Sequence, residues 1–367
     1  MLQRHIPVLV LTGGPCGGKT TVLSFLQQKL TDLGFYVITV SEAATEFILS
    51  GLKPGVLKIP VFQRQILKYI IEKENRWKTA AELMLIEKIV IICDRGVADA
   101  AAYTSPHEFD MMLGNLGYNI VELRDKRYDA VIFLRSVAVD APDVYTCLNN
   151  NARRESVEEA CTLDARTLEA WTGHPHLRVI DNSTGIEEKC ARVLQSACRV
   201  LGIPAPLEIE RKYLVSQCDL NLLPRPVQQV NIVQYYLQSE KEGDVERIRA
   251  RGQSGGHTYY HTIKQFVRPG VRNEVERQIT RDEYFTFLKR ADPSFGKIDK
   301  TRYCFVWENQ YFELDSFRNP PGLTLLELEL TEEHDKFTLP DFLQGYLTDV
   351  TDDPQFSNYE IARRIAS

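Results

Sequence analysis

The sequence has no run of apolar residues long enough to cross a membrane as a helix. The apolar stretch nearest its start, Ile6–Leu11, is too short for the core of a secretory signal and runs straight into a glycine-rich loop. Peripheral contact with a membrane surface is compatible with both absences. Basic residues are not in excess. With 44 Lys and Arg against 50 Asp and Glu, the net charge is −6, so the positive field of a nucleic-acid binder is missing. The eight cysteines include no C-x-x-C pair. That argues against a zinc site and a disulfide framework and suits a reducing cytosol, so a cytoplasmic location is expected. What remains is a globular composition spread over 367 residues, too many for one core of ordinary size. Two domains are the expectation.

The most specific local pattern is GGPCGGKT, Gly13–Thr20, which fits the spacing G-x-x-x-x-G-K-[ST]. It follows an apolar run, Val8–Leu11, and precedes a helical pattern, Thr21–Leu33. Strand, glycine-rich loop and helix together form the context of a phosphate-binding loop. Glycines let the loop turn its amides around a polyphosphate, and the helix adds its N-terminal dipole. Gly13, Gly14, Pro15, Cys16, Gly17, Gly18, Lys19, Thr20 and Thr21 are therefore candidate contacts for ATP or GTP. Lys19 can reach the β and γ phosphates, and Thr20 can hold Mg²⁺.

Further strands read at Phe35–Val40, Ile89–Cys93, Ala130–Leu134 and Leu177–Ile180. Helical patterns lie at Ala43–Leu52, Pro60–Lys88, Glu155–Trp171 and Glu187–Leu201. Alternating apolar strands and helices predict an α/β unit, a parallel sheet flanked by helices, with ligands at the carboxyl ends of its strands. Glu42 and Asp94-Arg95 fall at such ends, as does Asp181-Asn182. Asp94 suits the Mg²⁺ that Thr20 would bind, or else caps a helix over Val97–Tyr103. Arg95 could clamp an acceptor or form a structural ion pair. Glu42 could serve as a general base or simply open a helix. Arg153 and Arg154 read as a lid that brings arginine to the γ-phosphate, or as an ordinary solvated helix start.

On these residues this half resembles the P-loop nucleoside and nucleotide kinase-like families, especially the ATPase-type domain related to ribosylnicotinamide kinases. The resemblance covers nearly all of Met1–Leu201, with the phosphate loop its specific part. No N-K-x-D follows a strand, so the guanine-reading signature of small GTPases is missing.

Gly202–Pro206, GIPAP, breaks the pattern and divides the chain into 1–203 and 204–367. Beyond it the periodicity becomes two. Glu208, Glu210 and Lys212 share one strand face; so do Arg247, Arg249 and Arg251. The habit recurs in Glu274 with Glu276, Lys300 with Arg302, Glu313 with Asp315, and Glu327 with Glu329, while Lys264 ends the strand Tyr259–Lys264. Opposite faces carry Ile209, Ile248, Val275, Leu314, Leu326, Leu328 and Leu330. The pattern predicts a mainly β, antiparallel, closed or nearly closed barrel with charges lining its lumen. Buried charges must pair or meet ligands. Carboxylates favour divalent cations, arginines favour phosphate, and a metal-bound polyphosphate satisfies both. Leu339–Leu347 and Asn358–Ile365 carry apolar residues at helical spacing and are expected to be helices.

The E-x-E-x-K run Glu208–Lys212 makes Pro206–Ser367 resemble a CYTH domain, the fold of triphosphate tunnel metalloenzymes. Arg247, Arg249, Lys264, Glu276, Arg302, Asp315, Glu327 and Glu329 match its later positions. The resemblance implies Mg²⁺ or Mn²⁺ on Glu208, Glu210, Glu276, Asp315, Glu327 and Glu329. It also implies a triphosphate on Lys212, Arg247, Arg249, Lys264 and Arg302. One departure concerns a C-terminal basic residue, for which Arg363 or Arg364 is the substitute here. The domain order resembles eukaryotic proteins of the translocation-defect type, which suggests a role in membrane trafficking. Two functions follow as expectations. One is a Mg²⁺-dependent triphosphatase, with kinase or NTPase activity in the first half. The other is a non-catalytic nucleotide-binding regulator whose basic tunnel holds a phosphorylated ligand such as a phosphoinositide.

Overall fold

The computed structural model describes residues 5–140, 142, 156–203, 209–239, 244–253, 255–268, 271–331 and 335–366, and the side chains of these except at 265–268 and 271–274. The chain forms two compact units, Met1–Cys198 and Arg199–Ser367.

The first unit is built on five strands: β1 (Val8–Gly13), β2 (Tyr36–Val40), β3 (Ile89–Asp94), β4 (Ala130–Leu134) and β5 (Leu177–Ile180). Their order is β2-β3-β1-β4-β5, and every pairing is parallel. Apolar residues run without a break along β1, β3 and β4 because both sheet faces are covered. The covering helices are α1 (Lys19–Asp32), α2 (Ala43–Leu49), α3 (Ile59–Glu82), α4 (Pro106–Asn115), α5 (Val137–Asp140), α6 (Val157–Trp171) and α7 (Ile186–Val200). In α3, Phe62, Ile66, Leu67 and Ile71 form the buried stripe. The pattern expected to run to Lys88 stops at Glu82, since the following residues must turn into β3, and Leu83 and Leu85 are left exposed. Likewise α2 ends before Gly51, whose positive φ of 96° leaves the helical region. The expected helix at Val97–Tyr103 is a 3₁₀ helix capped by Gly96 and Asp99, so Asp94 is not its cap.

The second unit is a nine-stranded antiparallel sheet of order β10-β9-β8-β7-β11-β12-β13-β6-β14. Its strands are β6 (Glu210–Val215), β7 (Val227–Leu237), β8 (Val245–Gln253), β9 (Gly256–Arg268), β10 (Val271–Ile279), β11 (Ile298–Trp307), β12 (Gln310–Asn319), β13 (Thr324–Glu329) and β14 (Leu347–Asp349). Two helices accompany it, α8 (Arg281–Leu288) and α9 (Asn358–Ala366). The end strands β10 and β14 do not pair with each other among the described residues.

The sheet is nonetheless curled. Val245 of β8, Tyr236 of β7, Ile298 of β11, Phe317 of β12, Leu325 of β13 and Leu214 of β6 share one apolar cluster with Tyr359, Ile361 and Ala362 of α9. Six adjacent strands laid flat would span about 24 Å, twice the width of a helix. The row converges on α9, whose Tyr359 ring packs on Tyr236 of β7 and whose Asn358 meets Lys300 of β11, the arrangement of a sheet that wraps around a helix. The register places these residues on the face that carries the charges, so α9 packs against one end of a charged, concave face. A Cβ on Gly296 would sit 2.2 Å from Ile365 Cγ2, which shows how closely the helix is seated. The convex face is mainly apolar, apart from a buried Glu246 paired with His261 and Arg290, and is covered by α8 and by residues Phe337, Leu339, Phe342 and Leu343.

The helix expected over Leu339–Leu347 is corrected. The segment makes a single 3₁₀ turn, Asp341–Leu343, and then enters β14. Gly345, at φ 82°, breaks the helical path, and the apolar residues bury against the convex face from an irregular backbone. Asn358–Ile365 is helical, as α9.

Candidate functional site

In the first unit the loop between β1 and α1 is shaped by residues that tolerate its backbone. Gly13 has φ 143°, and a Cβ there would lie 2.0 Å from the Leu134 carbonyl oxygen. Gly18 and Cys16 also have positive φ. Lys19 Nζ donates to the carbonyls of Gly13 and Gly14 at 3.2 and 3.1 Å, curling over the loop. Burial, aided by the Arg95 charge, lowers the Lys19 amine to about 7.

Two buried residues that sequence reasoning missed brace this loop. Asp164 of α6 accepts from the Gly14 and Ser136 amides at 3.2 and 2.8 Å and pairs with Arg135 at 2.7 Å. Lys189 of α7 donates to the Gly17 carbonyl at 3.0 Å and to Asn182 Oδ1 at 2.6 Å. Both lie on amphipathic helices far along the chain, where a charge reads as solvated surface; only their buried helical phase could have flagged them.

At the strand ends, Arg95 has φ 67° and turns inward, pairing with Glu42 at 2.5 Å and Asp99 at 2.9 Å. Asp99 also accepts from Thr12, Gly96 and Trp171. Burial opposes ionisation of Glu42, but Arg95, Thr45 and Lys19 outweigh it and hold the carboxyl below its usual range. Asp94 is shifted the other way: burial and the Glu42 charge raise it against the pull of Lys19 and Arg95. Its Oδ1 is buried without a hydrogen-bond partner. An orphaned carboxylate oxygen near the loop lysine fits a hard cation, which would take Thr20 and Asp94 with phosphate oxygens completing its shell. Arg153 and Arg154 lie outside the described residues.

In the second unit the concave face separates into two sides. On β6, β11, β12 and β13, Arg302 pairs with Asp315 at 2.6 Å, with Glu327 at 2.7 Å and with Glu313. Lys300 pairs with Asp315 at 2.5 Å and faces Asn358 of α9 at 3.4 Å. Lys212 pairs with Glu210 at 2.7 Å and Glu327 at 3.1 Å. Burial works against Glu327, yet Lys212, Lys300 and Arg302 hold its carboxyl well below the usual range. Glu329 stands opposite Glu210 across the β13–β6 pair.

On β8, β9 and β10 the balance is basic. Arg247, Arg249 and Arg251 share this face with Lys264, whose register partner is Val245. Glu276 is held here by Arg249 at 2.9 Å, by Arg247 at 3.8 Å and by the Thr262 hydroxyl at 2.7 Å. Thus Glu276 stands among arginines, and Asp315 is engaged by two cations. Tyr236 feels the charges of Arg247 and Lys264 and also that of Lys212. Lys212 is four strands away, about 19 Å on a flat sheet; the two sides therefore face each other across the curl. Arg363 pairs with Glu360 at 3.3 Å, and Arg364 donates to the Gln355 carbonyl at 2.6 Å.

Glu208 lies outside the described residues. Among the described residues no three of His, Cys, Asp and Glu gather in a metal-binding group. The carboxylate oxygens of Glu210, Glu327 and Glu329 are of the type that Mg²⁺ or Mn²⁺ takes when phosphate supplies the remaining ligands.

A phosphate-loop α/β unit followed by a curled antiparallel sheet with a polarised charged face defines a two-domain protein of phosphate-handling type. Residues 8–189 match the family model of an AAA domain, and residues 206–354 match that of a CYTH domain; the chain carries the one followed by the other. Similar solved structures include the inorganic triphosphatase NE1496, with 26% identity over 43% of this chain and 95% of that one and a TM-score of 0.32. Another is the PH1819 protein from Pyrococcus horikoshii OT3, with 20% identity over 35% of this chain and 81% of that one and a TM-score of 0.28. No curated protein matches the chain. No helix among the described residues is long and apolar enough to cross a membrane.

Proposed function

We propose that the chain binds ATP or GTP at the phosphate loop and hydrolyses a triphosphate, with Mg²⁺ or Mn²⁺, on the concave face of the second unit. The observation that carries this reading is the polarity of that face. Carboxylates of β6, β12 and β13 stand across the curl from Arg247, Arg249 and Lys264 of β8 and β9. A bound divalent cation would neutralise phosphate charge and offer a place for the attacking water. Arg247, Arg249 and Lys264 would hold non-bridging oxygens and stabilise charge gathering on the leaving phosphates. Lys212 and Arg302 keep Glu327 ionised and fixed in place. The test is phosphate release from tripolyphosphate, organic triphosphates, ATP and GTP, with Mg²⁺ and with Mn²⁺. Binding without release from any of them would leave a receptor, not an enzyme.

One observation favours a second reading for the first unit. Glu42, the candidate base, is tied to Arg95 and its carboxyl is held below the usual range, which weakens it as a proton acceptor. Nucleotide binding without phosphoryl transfer then becomes its role. The chain would act as a regulator whose basic side holds a phosphorylated ligand, a phosphoinositide headgroup being one with suitable chemistry. Nucleotide-dependent binding of such headgroups, with no turnover, is its signature.

A further inference from the structure

Gln234 lies on β7 directly opposite Arg249 of β8 and Ile298 of β11, on the charged face. It is 2% exposed. Its amide Nε2 completes no well-formed hydrogen bond, and the acceptor it approaches is the Tyr236 phenol, whose pKa that approach lowers. Beside it, Arg249 spends a terminal nitrogen on Glu276 while its Nε is buried without a partner. Two neighbouring strands thus present two unsatisfied donors side by side. Buried donors are almost always satisfied, and leaving one unmade costs stability, so a paired exception asks for an acceptor that arrives later. The next residue along this face of β7 is Tyr236, which packs on Tyr359 of α9 at 5.4 Å between ring centres. The donors therefore sit where α9 closes the concave face.

We propose that Gln234 and Arg249 Nε form an oxyanion site at the α9 end of this face. The site takes the unsubstituted terminal phosphoryl group of a polyphosphate and makes Gln234 a specificity-determining residue. This rests on the triphosphate reading of the face and names the part of the ligand read at its closed end. A neutral amide suits the position. It donates to a phosphoryl oxygen but adds no charge, so it distinguishes an open P–O oxygen from an esterified one by geometry. A phosphoryl carrying an organic ester offers one fewer non-bridging oxygen to these two donors.

The test uses the full chain and three substitutions, Gln234→Met, Gln234→Leu and Gln234→Glu. Calorimetry with tripolyphosphate and Mg²⁺ is paired with thermal melting in the absence of ligand. Methionine keeps the length and removes the donor; affinity should fall about ten- to a hundredfold, the range of one hydrogen bond to a charged group. The ligand-free melting temperature should hold or rise, because an unsatisfied buried amide has gone. Glutamate should weaken binding further by repelling the phosphate. The wild type should also prefer tripolyphosphate over a dinucleoside triphosphate, whose ends are both esterified, and Gln234→Leu should narrow that preference. Unchanged affinity in all three variants would overturn the proposal, as would a Gln234→Met variant that melts lower while binding normally. If the wild type binds no tripolyphosphate at all, the triphosphate reading itself fails, a result distinct from either.

Discussion

At the scale of single residues, the first unit sets its chemistry through burial. Lys19 is held near 7 because burial disfavours its charge. A triphosphate brings negative charge to Nζ and must raise that value. Between the free and bound values, binding takes up a proton. Nucleotide affinity should thus be full below about 7 and weaken as pH rises above it, by up to about tenfold per pH unit. Calorimetry about one unit above that value, in buffers of differing ionisation heat, should show proton uptake in the wild type and none in Lys19→Met, whose nucleotide binding should be sharply weaker. Asp164 makes a different kind of contribution. Its side chain is fully buried and accepts from two amides and Arg135. Asp164→Ala would strand all three, at a cost of about 3–5 kcal/mol by the rule for breaking a buried pair. Asp164→Asn keeps one acceptor oxygen and should lose less. Melting of the first unit and nucleotide affinity should fall in that order.

At the scale of elements, Arg302 ties β11 to β12 and β13 through Asp315, Glu313 and Glu327. Arg302→Met should destabilise the second unit by about 3–5 kcal/mol at neutral pH, because the carboxylates lose their counter-charge inside the fold. The sign with pH follows. Unpaired buried carboxylates have raised pKa values, so the defect should shrink as pH falls and they protonate. Thermal melts across the acid range would show the variant converging on the wild type.

These elements also show what could be read in the sequence. β1, β3 and β4 were legible because burial on both faces makes them continuously apolar. The alternating strands were legible because one face is charged. The segment Leu339–Leu347 was not: its apolar spacing fits a helix, but Gly345 and the pull of the convex core select an irregular path into β14. Asp164, Lys189 and Gln234 were illegible as site residues. Their meaning depends on which distant element they meet, and no local pattern carries that. The pairing of Arg95 with Glu42 was open for the same reason, since their types suit a substrate clamp as well as an internal ion pair.

At the scale of the whole molecule, the two proposed phosphate sites lie in two separate compact units. One uses backbone amides, a lysine and the end of a helix; the other uses a polarised sheet face. Each should respond to its own substitutions. Replacing Glu327 and Glu329 together with Gln keeps their size and removes charge. Lys212 and Arg302 lose a carboxylate partner, and any cation loses its ligands on β13. On the proposed reading, metal and polyphosphate binding should depend on each other: the acidic side would repel phosphate until a cation sat on it, and the cation would be held weakly until phosphate completed its shell. The double substitution should therefore abolish the Mg²⁺-dependent gain in tripolyphosphate affinity rather than subtract a fixed amount from it. Lys19→Met should leave that gain intact, and the double substitution should leave ATP and GTP affinity intact. The measurement is a set of tripolyphosphate and nucleotide titrations of the full chain, with and without Mg²⁺, for wild type and both variants. A tripolyphosphate affinity indifferent to Mg²⁺ in the wild type would mean that Glu210, Glu327 and Glu329 serve only the ion pairs they already make. Loss of nucleotide binding in the double variant would instead mean that the two units work as one coupled device.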